Sequence, residues 1–263
     1  MRITLFAKGN LDVRDVLHSL RAGAAVQWNG INSLMRERGS GTVIRVRHET
    51  CTRSDAVLAA TGTPPPALCS RSLALDPYPP ESQFSAELFD TPADAYVLSI
   101  QPEVMNPMFR HRDGWLLCPY GAARWPATDR AWFADHFVPA PPIDAQASMH
   151  NFERIVERLR RRSQAPVLVF NMSSAIPGDS VHSHEGLGDT LATRIRRFNL
   201  ALIELSQRIG VSVVDVDTVV AREGVGRAKL DALHFTAEGA RAVAMEVVRI
   251  LEDVGCLAPV ETA

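Results

Sequence analysis

Cysteine is scarce: Cys51, Cys69, Cys118 and Cys256 are four widely spaced residues in a chain of 263, with no CxxC pair among them. That excludes a disulfide framework, and the thiols are expected to be reduced in a cytoplasmic protein. Long hydrophobic runs are absent as well. The opening run Ile3–Ala7 is far too short for a signal h-region or a membrane span, and no later run is long enough, so no membrane partner is expected. Charge of one sign is also lacking. With a formal net charge of −2 and arginines scattered along the chain, there is no basic block to track a phosphate backbone, which argues against a nucleic-acid partner. No internal repeat or low-complexity tract is evident.

What is present is an alternation of strand and helix patterns in a chain long enough for one α/β domain with insertions. Five short apolar segments rich in β-branched residues recur: Ile3–Ala7, Thr42–Val46, Ala95–Ile100, Pro166–Asn171 and Val211–Val216. Between them, Met149, Phe152, Ile155, Val156 and Leu159 mark one apolar helix face, and Leu191, Ile195, Phe198, Leu202, Leu205 and Ile209 mark another. Both helices are expected to pack on the sheet. A last helix is expected to start at Thr236 as N-cap, turn Ala240, Val243, Ala244, Val247, Val248 and Leu251 inward, and end at Gly255. This alternation predicts a doubly wound parallel sheet with its ligand crevice at the carboxyl ends of the strands.

Two irregular insertions interrupt the rhythm, at about residues 61–94 and 105–146. The first is opened by a proline- and serine-rich stretch from Thr61 to Pro80 that reads as a surface loop. The second holds Phe109, Trp115, Tyr120, Trp125, Trp132, Phe133 and Phe137. It reads either as the wall of a substrate pocket or as a satellite hydrophobic cluster.

The segment with the clearest chemistry is Asp231-Ala232-Leu233-His234, just before the last helix. An acid three residues before a histidine can orient an imidazole and stabilise its charge, as a general base requires. With Asn199 on a helix, Asp215 closing the fifth strand and Asp231-x-x-His234 ahead of the final helix, the chain resembles the SGNH hydrolases, also called GDSL-like lipases and acylhydrolases. The resemblance runs through most of the chain in order. It implies one flavodoxin-like, three-layer α/β domain with a five-stranded parallel sheet, hydrolysis or group transfer on a small acyl- or ester-bearing metabolite, and Asp231 and His234 as acid and base.

The other family positions differ. The first block is Gly-Asp-Ser after the first strand, whereas this chain reads Phe6-Ala7-Lys8-Gly9-Asn10-Leu11-Asp12, without a serine. The second-block turn, Glu49-Thr50-Cys51-Thr52-Arg53, has no glycine, and the third-block asparagine is replaced by Gln101 in Ser99-Ile100-Gln101-Pro102. Several groups are candidates to fill these roles. Cys51 can supply a thiolate. Asp12 can act as a carboxylate nucleophile or second base, or can simply favour the first turn of a helix. Asn10 and Gln101 can stabilise developing negative charge, and Lys8 can hold an anionic substrate. The scheme needing fewest parts has His234 deprotonate water or a substrate hydroxyl or amine directly. Ser54 reads as a helix N-cap.

No cofactor is expected. A divalent metal is the alternative, since His182 and His184 in His182-Ser183-His184-Glu185 can face one way on an extended segment, with Glu185, His48 or Glu49 completing a shell. Two further readings stay open: a catalytically retired member that binds a ligand or protein partner, and a metal-dependent enzyme built on the His182/His184 loop. The sequence names neither the substrate nor the oligomeric state.

Overall fold

The structure, a computed structural model, describes residues 1–50, 52–71, 73–178, 183–184 and 189–258. Along the chain the main elements are β1 (Arg2–Lys8), α1 (Leu11–Leu17), α2 (Ile31–Glu37), β2 (Val43–Glu49), α3 (Ser54–Ala59), β3 (Ala95–Ser99), α4 (Gln101–Met105), α5 (Ala127–His136), α6 (Ala145–Arg160), β4 (Val167–Phe170), α7 (Leu191–Ile209), β5 (Ser212–Val214), α8 (Val216–Glu223), α9 (Val225–Ala228) and α10 (Ala237–Asp253). Contacts group the chain into two compact units. One comprises Met1–His48, Pro92–Gln101 and Ser163–Ala263; the other comprises Glu49–Thr91 and Pro102–Arg162.

The first unit carries the five-stranded sheet in the order β5-β4-β3-β1-β2. Its pairings are parallel, with Leu5 opposite Ala95, Tyr96 opposite Val167 and Leu168 opposite Ser212. All five expected strands are present, and their order is the flavodoxin-like one, reversing between β1 and β3. Alternation along β1 sends Ile3, Leu5 and Ala7 into a core shared with Val13 and Val16 of α1 and with Ala240, Val243, Ala244, Val247 and Leu251 of α10. Each fully buried valine or leucine contributes about 1.5–3 kcal/mol relative to exposure, so this face of α10 anchors it more firmly than any single hydrogen bond does. Thr236 caps α10 as the sequence predicts, its hydroxyl accepting from Gly239 N at 3.1 Å. Thr190 caps α7, which ends at Gly210 in a left-handed conformation. A two-stranded hairpin, Leu20–Ala22 with Ala25–Trp28, was not legible in the sequence.

The second unit contains α3, α5 and α6, and both insertions are more ordered than composition suggests. The first forms short helices at Pro66–Cys69, Pro80–Gln83 and Glu87–Asp90. The second forms an antiparallel sheet in which Phe109–His111 pairs with Leu116–Leu117 and with Phe137–Pro139. Its aromatics pack on one another: Trp125 and Phe137 are buried with Leu68, Leu75, Phe84 and Leu117, and Phe133 stacks on Phe137 with centroids 4.3 Å apart.

Ser54 corrects one expectation. Arg53 is the N-cap of α3, and Ser54 opens the helix with its hydroxyl donated to Glu103 Oε2 at 2.8 Å. Glu103 also accepts from Ser54 N at 2.6 Å and from Ser148 Oγ of α6 at 2.8 Å. Burial pushes its carboxyl up to about 7 against the pull of these donors. A carboxyl raised in the fold favours the protonated native state. Its contribution is therefore complete below the ordinary glutamate range and is lost as pH rises through about 7. Thermal unfolding measured between mildly acidic and mildly alkaline pH should show the parent losing stability with rising pH relative to Glu103→Gln. Parallel curves for the two proteins would contradict this.

Candidate functional site

The loop carrying Asp231 and His234 is tied at its base. Lys229 and Phe235 form an antiparallel bridge, Leu230 N donates to His234 O at 2.9 Å, and Thr236 N donates to Ala228 O at 3.0 Å. Inside the loop, Asp231 Oδ1 accepts from Leu233 N at 2.7 Å and His234 N at 2.8 Å, while Oδ2 lies 2.8 Å from His234 Nδ1. An ionised carboxylate only accepts, so Nδ1 carries the ring proton and Nε2 keeps its lone pair. Nε2 makes no hydrogen bond among the described residues, and the His234 side chain is 42% exposed, open to a reactant. Burial raises the Asp231 carboxyl, but the two backbone amides and the imidazole outweigh it and hold it below its ordinary range. The pair can therefore take a proton at Nε2 and offset the resulting charge.

Opposite in sequence, the loop after β1 is closely packed. A Cβ at Gly9 would meet Val13 Cγ2 at 2.4 Å and Val13 Cβ at 2.9 Å, so glycine is what lets the first turn of α1 lie against the strand end. Gly9 O is 2.9 Å from His48 Nε2. Asp12, in that first turn, is buried and accepts a short hydrogen bond from Ser99 Oγ, which itself accepts from Gln101 N at 2.9 Å. Burial raises the Asp12 carboxyl to about 6 despite the Ser99 hydrogen bond. Lys8, Asn10 and Gln101 are buried in the same unit.

The structure thus brings Asp231 to His234, and brings Asp12 to Gln101 through Ser99. Lys229 extends from the Asp231–His234 loop into the field of Asp12 as well as Asp231 and Asp217. Sequence reasoning passed over Lys229 because a lone lysine in a loop reads as solvated, whereas here it is buried. Asp215 and Asn199, which supported the resemblance, serve the frame. Asp215 caps α8 by accepting from Thr218 N at 3.1 Å and receives Asn171 Nδ2 at 2.8 Å. Asn199 brackets the backbone of Met172, donating to its carbonyl at 2.7 Å and accepting from its amide at 3.2 Å.

Cys51 and His182 lie outside the described residues. His184 belongs to a short strand, Ser183–His184, paired with Asp189–Thr190, and its side chain is likewise outside them. Among the described residues there is no group of three or more His, Cys, Asp or Glu side chains placed to hold a metal, and no helix long and apolar enough to cross a membrane.

A parallel sheet in flavodoxin-like order, with an acid–histidine loop leading into the final helix, defines a doubly wound α/β fold. Residues 122–242 match the GDSL-like Lipase/Acylhydrolase family, a span that includes Asp231 and His234 and leaves the β1 loop outside. A lipase/acylhydrolase from Enterococcus faecalis is 11% identical, with a TM-score of 0.53 and all of both chains covered. A variant of an acetyl-xylooligosaccharide esterase from Geobacillus stearmophilus is 9% identical, with a TM-score of 0.54 over 99% of this chain and 97% of that one. LAE5, an alpha/beta hydrolase enzyme from the metagenome of Lake Arreo, Spain, is 12% identical, with a TM-score of 0.52 over 98% and 97%. Comparison with curated proteins gives no match. The chain is thus similar to the GDSL-like lipases and acylhydrolases over residues 122–242, just under half its length, and shares the fold of these solved structures across nearly all of it. The matched family is one of lipases and acylhydrolases.

Proposed function

We propose that this chain is an enzyme that hydrolyses, or transfers the acyl group of, a small acyl- or ester-bearing metabolite without a serine nucleophile. The observation that carries this reading is Asp231 Oδ2 at 2.8 Å from Nδ1 of a solvent-accessible His234 whose Nε2 has no hydrogen bond among the described residues. His234 Nε2 takes a proton from water, or from the hydroxyl or amine of an acceptor, as the nucleophilic atom bonds to the acyl carbon. The same proton then passes to the leaving oxygen as the carbon–oxygen bond breaks. Asp231 holds the tautomer and balances the imidazolium charge. Asn10 and Gln101 are the side-chain amides assigned to the developing oxyanion.

Asp12 is the candidate least suited to covalent attack, being buried and bonded to Ser99. The absence of serine from residues 6–12 favours one second reading, a retired site that binds an ester-bearing ligand without turning it over. Turnover of short-chain acyl esters by the parent and by His234→Ala separates the two. Hydrolysis by the parent that is lost in the variant supports the enzyme. Turnover indifferent to the substitution rejects the assigned base, and saturable binding without turnover by either protein favours the retired site.

A further inference from the structure

We propose that Lys229 is the positioning residue of the Asp231–His234 pair: its side chain holds the loop that aims the carboxylate at the imidazole, by donating to the Ala232 carbonyl inside that loop. The inference rests on the reading of His234 as base. Lys229 is 4% exposed, and its Nζ lies 2.8 Å from Ala232 O. Lysine is almost never buried so fully unless it is paired. Here three carboxylates attract it from three places: Asp12 in α1, Asp217 in α8 and Asp231 in the loop itself. The amine also sits 5.4 Å from the centre of the Phe235 ring, across the bridge that closes the loop.

Position makes this contact consequential. Ala232 lies between Asp231 and Leu233, so fixing its carbonyl fixes the turn that directs Leu233 N and His234 N to Asp231 Oδ1. Those two amides in turn hold the carboxylate whose other oxygen meets Nδ1. An aliphatic side chain of equal length would fill the space but supply neither the donor nor the charge. Burial draws the Lys229 ammonium down to about 8, against the pull of Asp12, Asp231 and Asp217. A group buried in this way loses its charge under mildly alkaline conditions and then holds the loop only through the weaker hydrogen bond of a neutral amine.

Hydrogen exchange at the Leu233 and His234 amides, corrected for intrinsic rates, tests this directly. In the unaltered chain, protection of these two amides should fall as pH rises through about 8 while α10 amides keep theirs. Lys229→Met should lower their protection by about tenfold or more at neutral pH, the scale of a charged hydrogen bond, again sparing α10. Lys229→Arg should keep protection and hold it level to about pH 10, because guanidinium stays charged there. A folded Lys229→Met variant with full protection would overturn the proposal, as would protection in the unaltered chain that stays flat through alkaline pH. Should the Met variant fail to fold, the pH series on the unaltered chain decides alone. None of these readouts needs turnover, so failure of the enzyme reading and failure of this one are distinguishable. With a turned-over ester in hand, Lys229→Met should lower kcat and leave KM near its parent value.

Discussion

Replacing His234 by alanine is expected to lower kcat for ester hydrolysis by about a hundred- to ten-thousandfold, the span a positioned general base contributes, with little change in thermal stability. The two halves of that expectation have separate causes. The imidazole is half-exposed and, among the described residues, bonds only to Asp231, so its removal leaves no buried donor there. On the proposed reading, the chemistry instead loses the imidazole that takes a proton from the nucleophile at Nε2. Asp231→Asn should produce a loss of the same order through the tautomer. The amide can still accept from Leu233 N and His234 N, but the ring no longer faces a carboxylate that fixes Nδ1–H and balances the positive charge. Steady-state kinetics on the two variants and on their double mutant check this. The account expects the double mutant to lose little more than His234→Ala alone, because residues acting as one unit are non-additive.

Gly239→Ala should destabilise the fold by about 3 kcal/mol, at the upper end of overpacking costs. A Cβ there would meet Ala228 O at 2.0 Å and Ala228 C at 2.8 Å, both backbone atoms with no flexible end to swing aside. The same carbonyl accepts Thr236 N at 3.0 Å, so relief of the clash would push apart α9 and the capped start of α10. The measurable result is a melting temperature lowered by about 2–4 °C per kcal/mol. Local disorder at Leu233 and His234 should accompany it, since their loop spans the displaced contact. An unchanged melting temperature would mean that the α9–α10 junction yields more readily than its geometry indicates.

Much of this architecture was legible because its signals are local. The β1 and β4 runs, the apolar faces of α6 and α7 and the Thr236 cap each follow from a few neighbouring residues. Asp231-x-x-His234 was legible for the same reason: the pair closes a loop within four residues. Long-range packing was not. Nothing beside Lys229 in the sequence announces Asp12, more than two hundred positions earlier, yet burial among distant carboxylates decides its charge. Ser99 likewise gave no sign of reaching Asp12 across the sheet end. Ser54 followed the N-cap pattern and was displaced by one position, because the buried Glu103 carboxylate competes for both its hydroxyl and its amide. The aromatic segment between residues 105 and 146 lacks helical or strand periodicity over most of its length, so its small sheet came from side-chain packing rather than from pattern.

Rapid-quench intact-mass measurement during turnover of a short-chain acyl ester tests the central claim most directly. Direct activation of the nucleophile by His234 predicts that the chain keeps its unmodified mass throughout, with product forming linearly from the first turnover. A burst of product, together with an acyl adduct on any residue of the chain, would contradict the account and identify the nucleophile it omits.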